Sequence, residues 1–261
     1  ANRDWHWLRR SARGHDVHIV DRTDEIAMLG LMGPNSRALL GALTDQDLTN
    51  EGFPFGTSKT LTVAGIDVFA IRMTYVGELG WELYVANADA VALHDALVEA
   101  GAEHGLVHAG YHAMNTLRLE SGYRHWGHDI TDEDTPIEAG LGFTCAYDKV
   151  GGFRGREALV AQRDAPRAKR LVQFRLEDPD RLLYHDEPIL RNGELVGRTT
   201  GGMFSYVENR ALTMGYLECG DGVSQDWLDA GVFEIEVATV RIPATPSIRS
   251  FHDPRNERVK I

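Results

Sequence analysis

A carboxylate placed in an alternating run is the first side chain here whose type and position could do chemistry. Trp81-Glu82-Leu83-Tyr84-Val85 alternates, and the period of two of a β-strand puts Trp81, Leu83 and Val85 on one face and Glu82 and Tyr84 on the other. If that second face lines a cleft, the Glu82 carboxylate can accept two N–H donors side by side, the pattern offered by a 2-amino-4-oxo pterin ring. The plainer alternative is a solvated strand face, because exposed glutamate is common. Gly77 and Gly80, just before the run, supply only a tight turn.

A second cluster is Leu117-Arg118-Leu119-Glu120-Ser121-Gly122-Tyr123-Arg124-His125-Trp126-Gly127-His128-Asp129. Tyr123 and Trp126 follow a helix ended by Gly122, where aromatic rings can border a ligand and stack on a flat heterocycle. Core packing is the equally ordinary role for both. His104, His108 and His112 recur every four residues, which on one continuous helix would suit zinc, but Gly105 and Gly110 interrupt that helix. His125, His128 and Asp129 form another conceivable set without an HExxH pattern or a distant matching ligand. Surface or hydrogen-bonded histidine is the expectation, and no metal is assigned.

Other chemistries are excluded by composition and by missing motifs. Lys plus Arg number 27 against 39 Asp plus Glu, a net charge of −12, which opposes a nonspecific grip on nucleic acid. No apolar run approaches the roughly 20 residues needed to span a bilayer, so no membrane partner is expected. Cys145 and Cys219 are the two cysteines; far apart, they make neither a disulfide framework nor a CxxC site and fit a reducing compartment, the cytoplasm or, in a eukaryote, the mitochondrial matrix. No GxSxG elbow occurs, and no GxxxxGK[ST] or GxGxxG loop follows a strand. The chain lacks an initiator Met and an apolar leader, and Ala1-Asn2-Arg3-Asp4-Trp5 reads as entry into a helix of a domain already under way.

The elements that must position these residues are legible from periodicity and turn chemistry. Residues 17–20 read as a strand, residues 24–31 as a second apolar run, and Asn35 or Ser36 as the cap of a helix through Leu40. Ala64-Gly65 reads as a hairpin turn between residues 60–63 and 66–73. Asn87 offers an N-cap for a helix lined by Leu93, Leu97 and Ala100 and ended by Gly101 or Gly105, and another helix covers residues 111–120. Gly151-Gly152 and the charged, Pro166-containing stretch 163–169 mark the best internal boundary. Beyond it the signal is β: residues 171–176 and 233–237 alternate, and Asn192-Gly193 is a type I′ hairpin turn. Strand-strand-helix order argues for an α+β fold followed by a small barrel or sandwich.

Several ordered motifs carry a family resemblance. They are Tyr75-Val76-Gly77-Glu78-Leu79-Gly80-Trp81-Glu82, Thr116-Leu117-Arg118-Leu119-Glu120-Ser121-Gly122-Tyr123, Thr135-Pro136-Ile137-Glu138-Ala139-Gly140-Leu141 and Phe153-Arg154-Gly155-Arg156-Glu157-Ala158-Leu159. In this order and spacing they resemble the glycine-cleavage T-protein (aminomethyltransferase) family. Thr199-Thr200-Gly201-Gly202-Met203-Phe204-Ser205 with Met214-Gly215-Tyr216 looks like that family's C-terminal barrel. The stretch 122–129 and Trp81-Glu82-Leu83 look closer to the folate domains of dimethylglycine and sarcosine dehydrogenases and oxidases.

The resemblance implies an α+β folate-binding aminomethyltransferase fold with its N-terminal part missing. Its parts would be the end of a first α+β unit over residues 1–50, a second over 51–165 and an antiparallel β-barrel over 166–261. It implies tetrahydrofolate as cofactor, with the family's pterin-binding Glu matching Glu82 and its ligand-contacting Tyr residues matching Tyr75 and Tyr123. The implied reaction is one-carbon transfer from an N-methylated amine or aminomethyl donor, forming 5,10-methylenetetrahydrofolate, with FAD in an upstream domain where an amine must first be oxidised. Two alternatives stay open: a folate-dependent O- or S-demethylase without flavin, and a non-catalytic folate-binding module, whose Lys-Gly-Cys-Tyr motif is absent here. Met114 stands where T-proteins carry a cofactor-contacting Arg, and the family's catalytic Asp falls upstream of Ala1, so this stretch alone is expected to be inactive.

Overall fold

Alternation between apolar and polar residues builds the first sheet. A computed structural model describes residues 2–261, leaving Ala1 outside them. Helix α1 (Asn2–Ser11) buries none of its side chains. Strand β1 (Ile26–Met32) is followed by helix α2 (Ser36–Gly41), then by β2 (Ser58–Val63), β3 (Ile66–Ile71), β4 (Gly80–Ala86) and helix α3 (Ala90–Gly101). The strands form an antiparallel sheet in the order β1-β4-β3-β2. Trp81, Leu83 and Val85 of β4 are buried with Leu61, Val68 and Ala70 of its neighbours. Helices α2 and α3 add Leu39, Leu40, Leu93 and Leu97 to the buried set, and α3 packs on α2 and β1. Each buried Leu or Val among them contributes about 1.5–3 kcal/mol by leaving water.

The hairpin expected at Ala64-Gly65 is present, with both residues at positive φ (50° and 79°) as a type I′ turn requires. Three local expectations differ. Residues 16–22 carry no regular structure; in the expected strand 17–20 only Ile19 is even half-buried, too little apolar burial to hold one. Asn87 does not cap α3: it opens a 3-10 turn (Asn87–Asp89), and its amide donates to the Asp24 carbonyl at 2.7 Å. Asn35 sits at the α2 N-cap without capping, its amide donating instead to the His104 carbonyl at 3.0 Å. In both cases a long-range carbonyl outcompetes the local backbone for a short polar side chain.

The chain divides into two units, residues 1–73 with 80–106, and residues 74–79 with 107–261. β1 precedes the boundary expected near residue 50 and pairs with β4 beyond it, so the strands on either side of that point share one sheet. The segment 107–165 belongs with the barrel.

In the second unit, helices α4 (Tyr111–Glu120) and α5 (Arg156–Arg163) precede β5 (Lys169–Leu176), β6 (Pro188–Arg191), β7 (Glu194–Ser205), β8 (Arg210–Glu218), the short helix α6 (Gln225–Asp229), β9 (Phe233–Val237) and β10 (Val240–Ser247). The six strands close an antiparallel barrel in the order β10-β5-β8-β7-β6-β9. The mixed helices, open sheet and closed barrel make the chain α+β. Asn192-Gly193 turns β6 into β7 with φ of 54° and 86°. Phe174, Ile189, Leu217, Phe233 and Ile235 fill the barrel, while Leu119 of α4 joins Leu171, Leu212 and Met214 in a separate cluster. Among the described residues no helix is long and apolar enough to cross a membrane.

Polar ties at its C-terminal end fix α4 to the barrel. Glu120, 2% exposed, accepts from the Ser205 hydroxyl at 2.7 Å and the Val207 N–H at 3.2 Å. Arg118 and Asp129 form a buried ion pair. The Asp129 carboxylate also accepts from the His125 N–H at 2.8 Å and from the Thr200 hydroxyl of β7. Arg118 Nε donates to Asn115 Oδ1 at 2.7 Å and its Nη1 to the Tyr123 carbonyl at 3.2 Å. A buried pair contributes little over an apolar replacement, but losing one partner leaves a charge stranded. Arg118→Met is expected to cost about 3–5 kcal/mol in urea unfolding followed by near-ultraviolet circular dichroism; a loss below about 1 kcal/mol would show that the pair does not hold this region.

Candidate functional site

In the first unit the outward face of the sheet carries Glu82. The period of two places Glu82 and Tyr84 there, half-buried, while their strand neighbours enter the core. Register fixes what surrounds them: Gly30 of β1 lies opposite Glu82 and Met28 opposite Tyr84, while Ile71 and Phe69 of β3 flank them on the other side. Met28 and Phe69 are exposed by 51% and 47%. An ordinary solvated sheet face carries polar residues in these places; here the carboxylate has exposed apolar side chains beside it.

Gly30 matters through what it lacks. Directly opposed residues of an antiparallel pair bring their Cβ atoms to about 4.5–5.5 Å. A Cβ built on Gly30 would meet no atom closer than Met32 Cε at 4.0 Å, so the space beside Glu82 is open by virtue of the missing side chain. Among the described residues the carboxylate has one intramolecular partner on this face, the Tyr84 hydroxyl, which donates to Glu82 Oε2 at 2.7 Å. That hydrogen bond, with burial adding to it, pushes the Tyr84 hydroxyl up to about 12. The arrangement can receive a planar, largely apolar ring with adjacent N–H donors on one edge.

Tyr75 and Tyr123 come together in the second unit. Gly122, at φ 69°, ends α4 in a Schellman closure: the Gly122 N–H donates to the Leu119 carbonyl at 3.0 Å and the Tyr123 N–H to the Arg118 carbonyl at 2.8 Å. Tyr123 is thereby set one residue past a rigid helix end. The segment 74–79 runs close by, and only glycine fits at 77, where a Cβ would fall 1.9 Å from Ser121 Oγ. The two rings lie 6.3 Å apart between centroids, inclined by 30°. Tyr75 donates to the Arg124 carbonyl and Tyr123 to Asn256 Oδ1, each at 3.2 Å. Burial raises both hydroxyl pKa values, with Asp253 adding to the effect on Tyr123. Both rings therefore stay neutral and serve as faces rather than charges.

The remaining candidates disperse. Trp126 is 56% exposed. His125 and His128 stack at 4.3 Å, nearly parallel; burial, then His128 and Arg118, lower the His125 pKa. Asp129 is committed to Arg118, so the His125, His128 and Asp129 set loses its carboxylate. His104 ends a 3-10 turn, His112 lies on α4, and Gly105 at φ 73° breaks the backbone between them, so the four-residue recurrence is not a helical face. Met114 is half-buried on α4, and Arg118, one turn on, does not replace the Arg expected at 114 because its guanidinium is spent on Asp129 and its neighbours.

Three residues around these sites escaped the sequence, and a fourth, Tyr84, was placed on the Glu82 face without its hydrogen bond. The opposition of Gly30 needed the β1–β4 register. Asn256, and Arg258, which pairs with Glu78 at 2.8 Å, reach back to the Tyr123 and 74–79 segments from about 130 and 180 positions away. No local pattern announces contacts of that separation.

Two family descriptions match this chain: the GCVT N-terminal domain over residues 1–149 and the glycine cleavage T-protein C-terminal barrel domain over residues 169–253. The chain is similar to the human protein named sarcosine dehydrogenase, mitochondrial, with 42% identity over 93% of this chain and 26% of that one. It is also similar to the aminomethyltransferase of Symbiobacterium thermophilum, with 33% identity over 97% of this chain and 68% of that one. The crystal structure of glycine cleavage system aminomethyltransferase T from Bartonella henselae has the same fold, with a TM-score of 0.76 at 24% identity over 94% of this chain and 64% of that one. The chain spans about a quarter of the length of the human relative. With its open sheet, its closed barrel and both domain descriptions matched, this chain belongs to the glycine cleavage T-protein family.

Proposed function

We propose that this chain is the folate-binding part of an enzyme that moves a one-carbon unit from an N-methylated amine to tetrahydrofolate. The observation that carries the reading is the Glu82 carboxylate, set among apolar side chains and facing the open space left by Gly30. The residues fit the group: Glu82 Oε1 and the second lone pair of Oε2 remain to accept the N–H edge of a pterin, and Met28, Phe69 and Ile71 offer apolar surface to its ring. Bound tetrahydrofolate would supply the nucleophilic amine that captures the carbon.

Glu82 contributes orientation. Two charge-assisted hydrogen bonds to adjacent donors fix a planar ring in rotation as well as position. The apolar flank keeps water from the ring, and water is the competitor that would divert a short-lived electrophilic carbon. Holding the acceptor in place replaces a bimolecular encounter with an effectively unimolecular one. Tyr75 and Tyr123 are proposed as further folate-contacting residues on the strength of the family resemblance, each neutral and with its hydroxyl already bonded.

The name of the human relative, and the small share of it that this chain spans, support an amine-oxidising flavin domain elsewhere in a longer protein. The same name supports a mitochondrial matrix location in a eukaryote, with the cytoplasm as the bacterial counterpart.

Calorimetry of the full-length protein with tetrahydrofolate tests the reading. Glu82→Ala is expected to weaken binding about tenfold to a hundredfold, a net loss of about 1.5–3 kcal/mol from removal of its charge-assisted hydrogen bonding, while amine oxidation continues. Unchanged folate affinity would sink the assignment. Gly30→Val gives an independent check: valine suits a strand and leaves Glu82 intact, but its side chain occupies the open space, so folate binding should fall by at least tenfold with little change in melting temperature. Wild-type affinity in Gly30→Val would mean that the ligand does not approach by this face.

A further inference from the structure

The hydroxyl of Tyr84 is the one polar group from within its own strand that engages Glu82. Its hydrogen bond to Oε2, at 2.7 Å, joins residues two apart on one strand, the spacing at which side chains stand side by side on one face. The Tyr84 ring is held independently of that bond: it lies 6.3 Å from the Phe69 ring, inclined by 53°, with Met28 opposite it on β1.

We propose that Tyr84 is the positioning residue of this site, locking the Glu82 carboxylate in the one rotation that presents its free acceptors to the ring of a bound pterin. The inference rests on the folate reading of Glu82 and adds to it the residue that makes the carboxylate selective. A half-buried glutamate without a fixed partner samples a broad, roughly two-fold range of its last torsion, and freezing that range when a ligand arrives is an entropic cost to binding. A hydroxyl donating to one oxygen removes the freedom beforehand. It also takes one lone pair of Oε2, so the sites left open are Oε1 and the outer side of Oε2, spaced for two adjacent N–H donors. Phenol suits this role because it remains a donor: with the hydroxyl pushed up to about 12 by Glu82, it stays protonated throughout the range in which the protein works. The protonated state is the one favoured on folding, so the bond persists below pH 10 and is lost as pH rises through the shifted value.

The sheet surface gives Tyr84 no competing assignment. Its hydroxyl points to Glu82 and not into the core, whose side of β4 is filled by Trp81, Leu83 and Val85. Phe at this position would preserve the packing with Phe69 and remove a single oxygen atom, so the role can be separated from structure.

The test is a double-mutant cycle in the full-length protein, with tetrahydrofolate as the probe, by calorimetry under anaerobic conditions. Tyr84→Phe should weaken binding about threefold to tenfold, and the same substitution in a Glu82→Ala background should change affinity less than twofold, because the hydroxyl acts only through the carboxylate. A loss of equal size in both backgrounds would overturn the positioning role in favour of direct contact or packing. Wild-type affinity in Tyr84→Phe, with Glu82→Ala still weakened, would also overturn it while leaving the folate reading standing; wild-type affinity in Glu82→Ala would remove the folate reading and this inference with it. Carbon-13 NMR of labelled tyrosine in the folded protein supplies a second readout: the Tyr84 ring carbon should titrate above the ordinary value of about 10, and less far above it in Glu82→Ala. Ordinary titration in the unsubstituted protein would show that the hydrogen bond is not made.

Discussion

The two-residue period of β4 is the constraint on which the account of this protein depends. Trp81, Leu83 and Val85 must enter the core, and each is almost wholly buried. A slip of one residue would expose all three and bury the Glu82 carboxylate, so the register is enforced from both faces at once. Because β4 lies between β1 and β3, the same register fixes Gly30 opposite Glu82 and Met28 opposite Tyr84. The apolar core thus determines which side chains surround the carboxylate on the far side of the sheet. A site on a strand clamped in this way has little freedom to drift, which suits recognition of a planar ring.

The second unit solves a similar positioning problem with charge and backbone geometry. Tyr123 is set by a helix that has to stop at Gly122, because only a residue tolerant of positive φ closes the α4 carbonyls in this manner. The loop beyond it is drawn in by the Asp129 carboxylate, whose acceptors are taken by Arg118, the His125 N–H and Thr200. With Gln173 donating to the Leu119 carbonyl and Glu120 taking Ser205, the end of α4 is tied to three barrel strands or their turns. A buried carboxylate with every neighbour satisfied is rigid, and an unsatisfied one would be costly.

Much of this could be read in the sequence where the signal is local. The face assignment of Glu82, the hairpin turn at Ala64-Gly65, the type I′ turn at Asn192-Gly193, the helix over residues 111–120 and the strand over 233–237 follow from periodicity and turn chemistry. Short polar residues misled, because Asn35 and Asn87 found distant carbonyls in place of the helix ends they could have capped. The run 17–20 has strand-like residue types but buries almost nothing. Sheet order was not legible: that β1 pairs with β4 rather than closing a separate unit is a fact of long-range pairing. The same holds for Asn256 and Arg258, whose partners are more than a hundred residues away. At the candidate site the carboxylate and Tyr84 beside it on one face were visible, whereas the hydrogen bond between them and the glycine that clears the space beside the carboxylate emerged only with the structure.

The proposed ligand rests on membership of the glycine cleavage T-protein family together with a single carboxylate among apolar neighbours on the sheet face. The central claim is that this carboxylate holds the pterin. The most direct measurement is a crystal structure of the full-length protein with tetrahydrofolate bound. The account predicts both Glu82 carboxylate oxygens at about 2.7–3.1 Å from adjacent ring N–H groups, with Tyr84 still donating to Oε2. Folate bound elsewhere, with the Glu82 carboxylate facing open water, would contradict it.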